Sequence, residues 1–212
     1  MRLAVLGATG GIGGELVRQG LDRGHEITAV VRDASRLAAE VRDRVDVVEA
    51  DVMDPAAVAP AVKGRDAVLS AMGSRERGPT TVHSGSVAAI TEAMRRTGVR
   101  RVLTVGAAGA VADAGDAPFT RYVLKPLIVQ RLFRDSYADL AASEDLLRRS
   151  GLDWTIVRPG RLSDDGPTGR YRTSWDRNLR GGHRTTRADT ADCMLTLLDD
   201  PASAGHVVYV LS

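Results

Sequence analysis

The apolar run Leu3-Ala4-Val5-Leu6 opens directly into Gly7-Ala8-Thr9-Gly10-Gly11-Ile12-Gly13, and a helix-period stretch follows to Arg23. Nothing else in the chain limits its fold as tightly. A glycine at 7 permits a tight turn, one at 10 lets a phosphate group approach the backbone, and one at 13 lets a helix pack close against the strand. The exposed N–H groups of Gly7, Thr9, Gly10, Gly11, Ile12 and Gly13, with the helix dipole behind them, then favour a dianion. Glycine spacing alone is a weak signal, since a glycine-rich turn without a ligand also satisfies it. The strand before and the helix after supply the context that gives the spacing meaning. A nucleotide-triphosphatase loop is excluded, because no lysine occurs before Lys63.

Further apolar runs alternate with helix-period segments. Strands are expected at Ile27–Val31, Val45–Val48, Ala67–Ala71, Val102–Val105, Trp154–Val157 and His206–Leu211. Helices are expected near Glu15–Arg23, Ala34–Ala39, Pro55–Val62, Ser86–Thr97, Tyr137–Ser150 and Thr186–Leu198, several of them closed by glycine. Continuous apolar strands separated by helices predict a parallel sheet covered on both faces. With right-handed crossovers this is a doubly wound, Rossmann-type α/β fold. A single domain spanning 1–212 follows. Its one departure is a segment at about 158–187, with eight arginines against three aspartates, expected as loops and short strands at the sheet's C-terminal edge.

Composition narrows the function. The formal charge is only +2 and there are eight aromatic residues, which argues against a nucleic-acid partner. No apolar run approaches the roughly 18 residues of a membrane helix. The lone cysteine, Cys193, lies in a helical stretch and is expected to be a small buried hydrophobe. The four histidines lack metal-ligand spacing, so no metal is expected. No Gly-x-Ser-x-Gly elbow is present. With no targeting segment readable, a cytoplasmic protein is expected; with no heptad seam or obvious exposed apolar stripe readable, both a monomer and a small homo-oligomer stay open.

Residues at the later strand ends carry the finer chemistry. A carboxylate after the second strand would accept from a ribose 2′-hydroxyl, but Arg32 stands there, with Arg36 one helical turn on. Two guanidinium groups suit a 2′-phosphate, and therefore NADPH over NADH. Asp33 follows at once and either caps the next helix or leaves room for NADH. Asp51 and Val52 could hold an adenine, or Asp51 or Asp54 could cap the following helix. Ala71, Met72 and Gly73 end the fourth strand with small or flexible groups that leave room for a ribose.

These segments resemble the atypical, NAD(P)H-binding branch of the short-chain dehydrogenase/reductase superfamily, which includes NADPH-dependent flavin and biliverdin reductases and NmrA-like proteins. Gly7 to Gly13, Val30-Val31-Arg32-Asp33, Met72-Gly73-Ser74-Arg75, Gly78-Pro79-Thr80-Thr81-Val82, Ser150-Gly151-Leu152 and Gly166-Pro167-Thr168-Gly169-Arg170-Tyr171 carry the resemblance along nearly the whole chain. It implies NADPH lying across the strand C-termini, with Ala107, Pro159 and Gly160 framing the nicotinamide. It also implies hydride transfer to a planar acceptor in an open, mostly apolar pocket. FMN or FAD, a quinone or a related conjugated small molecule would fill that role.

The superfamily's Tyr-x-x-x-Lys acid is absent. Four positions beyond Tyr122, Tyr137 and Tyr171 stand Pro126, Ala141 and Trp175. Tyr122 and Lys125 are three apart and could share a helix face. Val105-Gly106-Ala107-Ala108-Gly109 lacks the hydroxyl often found there, and Arg158-Pro159-Gly160-Arg161-Leu162 replaces a histidine-bearing turn. Arg161 could stabilise charge on an acceptor or lie on the surface. Two other readings stay open: a non-catalytic NADP-binding sensor of the NmrA-like kind, and a biosynthetic reductase or isomerase.

Overall fold

A computed structural model of the chain describes residues 1–73 and 78–212, so Ser74 and Arg75 of the resemblance lie outside the described residues. The apolar runs become strands β1 (Arg2–Leu6), β2 (Glu26–Val31), β3 (Asp46–Glu49), β4 (Ala67–Ser70), β5 (Arg101–Val105) and β6 (Asp153–Pro159). The arginine-rich segment adds β7 (Arg161–Ser163), β8 (Arg172–Trp175) and β9 (Arg184–Thr186), and β10 (His206–Leu211) closes the chain. One sheet has the order β3-β2-β1-β4-β5-β6-β10-β8; β7 and β9 form a separate two-stranded ladder. Every pairing in the large sheet is parallel except that of β10 with the edge strand β8. The order reverses between β1 and β4. In an open α/β sheet that crevice is where ligands bind.

The helices are α1 (Gly11–Asp22), α2 (Ala39–Arg42), α3 (Pro55–Val62), α4 (Val82–Thr97), α5 (Gln130–Leu132), α6 (Arg134–Arg149) and α7 (Arg187–Leu198). They cover both faces of the sheet, and β1 shows why its sequence is unbroken apolar. Leu3 and Val5 enter a core with Leu16 and Val17 of α1 and Met194 and Leu195 of α7. Ala4 and Leu6 point the other way, toward Val58 of α3, Ile90 and Met94 of α4 and Leu147 of α6. Each of these large side chains, fully buried, stabilises the fold by about 1.5–3 kcal/mol. Cys193 is buried in the first core, and burial pushes its thiol up to about 12, so it stays protonated.

Two stretches differ from the sequence expectation. The helix expected over Ala34–Ala39 is a single 3₁₀ turn, Ala34–Arg36, followed by the one-turn α2. Asp33 caps that turn through Ser35, and Leu37 is extended (φ −75°, ψ 139°), which breaks the helix. Thr120–Val129, for which no element was expected, forms a π-helix running into α5. Pro126, which has no N–H to donate, masks this helix in the sequence. The same segment carries an exposed apolar stripe that is not readable in the sequence. Phe119, Tyr122, Leu127, Ile128, Leu132 and Phe133 are all exposed along it. Among the described residues no helix is long and apolar enough to cross a membrane.

Candidate functional site: the glycine loop and the adjoining cleft

The loop after β1 is set by its glycines. Gly7 has φ +78°, and a Cβ there would stand 2.7 Å from the Ala71 carbonyl oxygen. Its own carbonyl accepts from Gly10 N–H at 2.8 Å. A Cβ on Gly13 would collide with that same Gly7 carbonyl, so the helix could not sit so close to the strand. Gly10 is less constrained: a Cβ would lie 3.2 Å from Gly7 O, tight but not impossible.

The N-terminus of α1 is left open. Gly10 has no capping oxygen, and the first turn of α1 has no acid. Other helices are finished differently. Asp54 caps α3, Thr186 caps α7, and Asp139 of α6 reaches across to accept from the N–H groups of His83 and Ser84 at the start of α4. Donors and dipole in the first turn of α1 therefore favour negative charge at this end.

The remaining cofactor candidates line the ends of neighbouring strands. Arg32 and Arg36 are exposed beyond β2, and neither guanidinium has an ion-pair partner among the described residues. Asp33 accepts from Ser35 N (2.9 Å) and Ser35 Oγ (2.6 Å), and these bonds hold its carboxyl below the usual range. Glu49 ties the same turn by accepting from Ala34 N at 2.6 Å. Asp54, not Asp51, caps α3. Asp51 accepts from Met53 N at 2.9 Å and is otherwise exposed, beside buried Val52. Ala71 and Met72 are half-buried, and Gly73 is exposed.

Beyond the ends of β5 and β6 lies a cleft of about 590 Å³. Ala107, Pro159, Gly160 and Arg161 line it, opposite Leu124, Phe133 and Tyr137 from the π-helix segment and α6. Gly160 is needed there, because a Cβ would come within 2.7 Å of the His183 carbonyl. Arg161 is exposed, held by its backbone N–H to His183 O at 2.6 Å, while its side chain has no ion-pair partner among the described residues. A second groove of about 700 Å³ runs beside β10, and Tyr137, Arg158 and Tyr209 belong to both. That groove holds none of the cofactor candidates, so the smaller cleft is the relevant one.

Arg158 forms the wall between the two. Its guanidinium pairs with buried Glu144 and donates to Tyr209 Oη at 2.5 Å. Burial opposes the charge on Arg158, but the bonds from Glu144 outweigh it and raise its pKa. Burial pushes Tyr209 up to about 12 despite the nearby cation.

Tyr122 and Lys125 do not share a face. Tyr122 is 66% exposed, whereas Lys125 is buried. Lys125 Nζ donates to Ala108 O (2.9 Å), Val111 O (2.7 Å) and Asp116 (2.7 Å to Oδ1). Three donors and three partners leave the ammonium nothing to offer a substrate. His83 is half-buried, and burial lowers its pKa. Among the described residues no cluster of His, Cys, Asp and Glu could hold a metal.

Sequence reasoning missed Glu144, Tyr137 and Asp189. Asp189, at the start of α7, accepts from Thr168 N (3.0 Å), Gly169 N (3.2 Å), Thr168 Oγ (2.7 Å) and Ser212 Oγ (2.5 Å). It knits the Gly166–Tyr171 turn to the chain's end. The Thr186-x-x-Asp189 spacing was readable as a helix start, but not its long-range partners.

Comparison with known proteins agrees with this geometry. The sequence model of the NAD(P)H-binding family matches residues 7–201, and the chain belongs to that family. Bacillus subtilis YwnB, a protein of uncharacterised function, is 28% identical over 217 residues, covering 100% of this chain and 99% of its own. A 3-diazoavenalumate denitrifying reductase from Streptomyces is 35% identical over 195 residues, 78% of this chain and 58% of that one. A Streptococcus pneumoniae protein provisionally described as an NADH-flavin reductase superposes with a TM-score of 0.81, at 26% identity, covering 100% of this chain and 99% of that chain. The protein is therefore a Rossmann-fold member of the NAD(P)H-binding family.

Proposed function

We propose that the protein is an NADPH-dependent reductase that passes a hydride to a flavin, a quinone or a related conjugated small molecule. The observation that carries this reading is the mostly apolar cleft at the ends of β5 and β6, framed by Ala107 and Pro159-Gly160, in the same molecule as the uncapped glycine loop and α1. The uncapped first turn and the glycine cradle fit a dinucleotide pyrophosphate. Arg32 and Arg36 would take its 2′-phosphate, Asp51 and Val52 the adenine, and Ala71, Met72 and Gly73 the ribose. NADPH, when bound, supplies the hydride. The protein's part is to bring donor and acceptor to roughly 3–3.5 Å and to keep water out. Arg161 lies on the cleft rim, where it would meet charge on the acceptor.

The relatives lend support. One is named for reduction of a diazo-substituted compound and another for flavin reduction. The second carries NADH in its name, whereas Arg32 and Arg36 favour the phosphorylated cofactor here. The reading keeps the chain in the cytoplasm, and the apolar side chains exposed over 119–133 support a small homo-oligomer over a monomer.

A sensor of oxidised and reduced NADP is favoured by one observation: Lys125, the only lysine near the cleft, is fully engaged in holding its own loop. NADPH oxidation in the presence of FMN, followed by nicotinamide absorbance, separates the two. Turnover saturating in both supports the reductase. Binding of NADP and NADPH with no turnover on FMN or a quinone supports the sensor.

A further inference from the structure

We propose that Arg187 is a ligand for the cofactor's pyrophosphate, held over the first turn of α1 and parked on Asp164 until that anion arrives. This rests on the cofactor reading above and extends it to a residue outside the glycine loop.

The backbone of Arg187 is fixed. It is the first residue of α7, directly after the cap residue Thr186, whose Oγ accepts from Asp189 N at 2.9 Å. Its side chain crosses to α1. A Cβ on Gly11 would collide with Arg187 Cδ and lie 2.7 Å from Nε. Gly11 differs from Gly7 and Gly13 in that its Cβ would meet a side chain, not backbone: the arginine stem occupies the space there.

The electrostatics of this position are unfavourable without an anion. A guanidinium is set against the positive end of a helix dipole, where anions belong. That end has neither a capping side chain nor an acid of its own. What balances the guanidinium is Asp164, whose Oδ1 accepts from Nη1 at 2.6 Å. Asp164 is 88% exposed, and a pair of that kind is weak and exchangeable. Helix dipole, free N–H donors and guanidinium therefore converge on one place, and a pyrophosphate would satisfy all three. Asp164 follows β7, so its release would free the start of the Asp164–Arg170 loop.

Titration calorimetry with NADPH, 2′-phospho-ADP-ribose and adenosine 2′-phosphate tests this. The first two carry a pyrophosphate and the third does not. Arg187→Ala should weaken the first two by roughly 10- to 100-fold, the range of a charge-assisted contact, and leave the third within about twofold. Asp164→Asn removes a competing anion from an exposed position and should tighten NADPH by up to about fivefold. Equal loss for all three ligands in Arg187→Ala, or no loss for any, overturns the assignment, as does weaker NADPH binding in Asp164→Asn. Wild-type protein that binds none of the three overturns the cofactor reading itself. Wild-type binding with an indifferent Arg187→Ala overturns only the role given to Arg187.

Discussion

Arg32→Asp is the sharpest test of which cofactor the loop after β2 selects. The guanidinium is exposed and has no ion-pair partner among the described residues, so the substitution breaks no structural contact there. Asp33 is engaged by Ser35 and does not compensate. Losing a charge-assisted bond to a 2′-phosphate costs about 1.5–3 kcal/mol. A carboxylate in its place adds repulsion of about 1 kcal/mol at 4 Å in a water-like dielectric. The sum, about 2.5–4 kcal/mol, corresponds to roughly 60- to 700-fold weaker NADPH binding, and solvent exposure places the expectation at the lower end. NADH lacks the phosphate and should change by less than about threefold, since the new carboxylate can accept from its 2′-hydroxyl. Nucleotide fluorescence titrations at two ionic strengths give both constants, and the wild-type preference for NADPH should shrink as salt rises. Equal losses for NADPH and NADH would refute the phosphate clamp.

Gly13→Ala puts a methyl group into the Gly7 carbonyl and should abolish binding of either cofactor while α7 and the distal core stay folded; retained affinity would move the site away from the loop. Glu144→Gln leaves buried Arg158 without its counter-charge and should lower stability by about 3–5 kcal/mol in urea unfolding, a loss near zero excluding the buried pair as a structural wall. Asp189 has a depressed folded pKa, the bonds it accepts outweighing the burial that raises it. The stability it contributes is therefore present above its unfolded value, 3.8, and is lost as pH falls through the lower folded value. Asp189→Asn should remove that acid limb and lower the melting temperature at pH 7. A melting curve indistinguishable from wild type would contradict the turn-knitting role.

How far the sequence could be read depended on the range of the interactions involved. Pro55–Val62 and His206–Leu211 coincide in sequence and structure, because a proline at the first helical turn, a capping aspartate and an apolar run of valines around a tyrosine are local signals. The glycine loop was legible for the same reason. Residues 107–133 were not. Their conformation depends on Lys125 reaching back to Ala108, Val111 and Asp116, contacts 9 to 17 residues away that no periodicity encodes. The Gly11–Arg187 contact is more remote still, since it requires α1 and α7 to have packed first. Asp189 and Glu144 belong to the same class. Each reads as an ordinary acid on a helix until the fold supplies its donors.

The arrangement of the cleft also limits what kind of acceptor the protein can serve. An isolated ketone, on receiving a hydride, leaves charge on one oxygen and needs a proton delivered there. Lys125 cannot assist, its three donors being committed, and Tyr122 is outside the cleft. Tyr137 does line the cleft with its phenol protonated, but burial raises its pKa and makes it a weaker acid than an ordinary tyrosine. A flavin or quinone spreads the incoming charge over its own ring system and takes its proton from water. The turnover rate on FMN should accordingly be flat between about pH 7.5 and 9, with no falling limb from an acid losing its proton. Tyr137→Phe should leave that profile unchanged and alter mainly the acceptor's KM. A large loss of kcat in Tyr137→Phe with the acceptor's KM unchanged would show instead that the phenol is the proton donor, and would reopen carbonyl compounds as substrates.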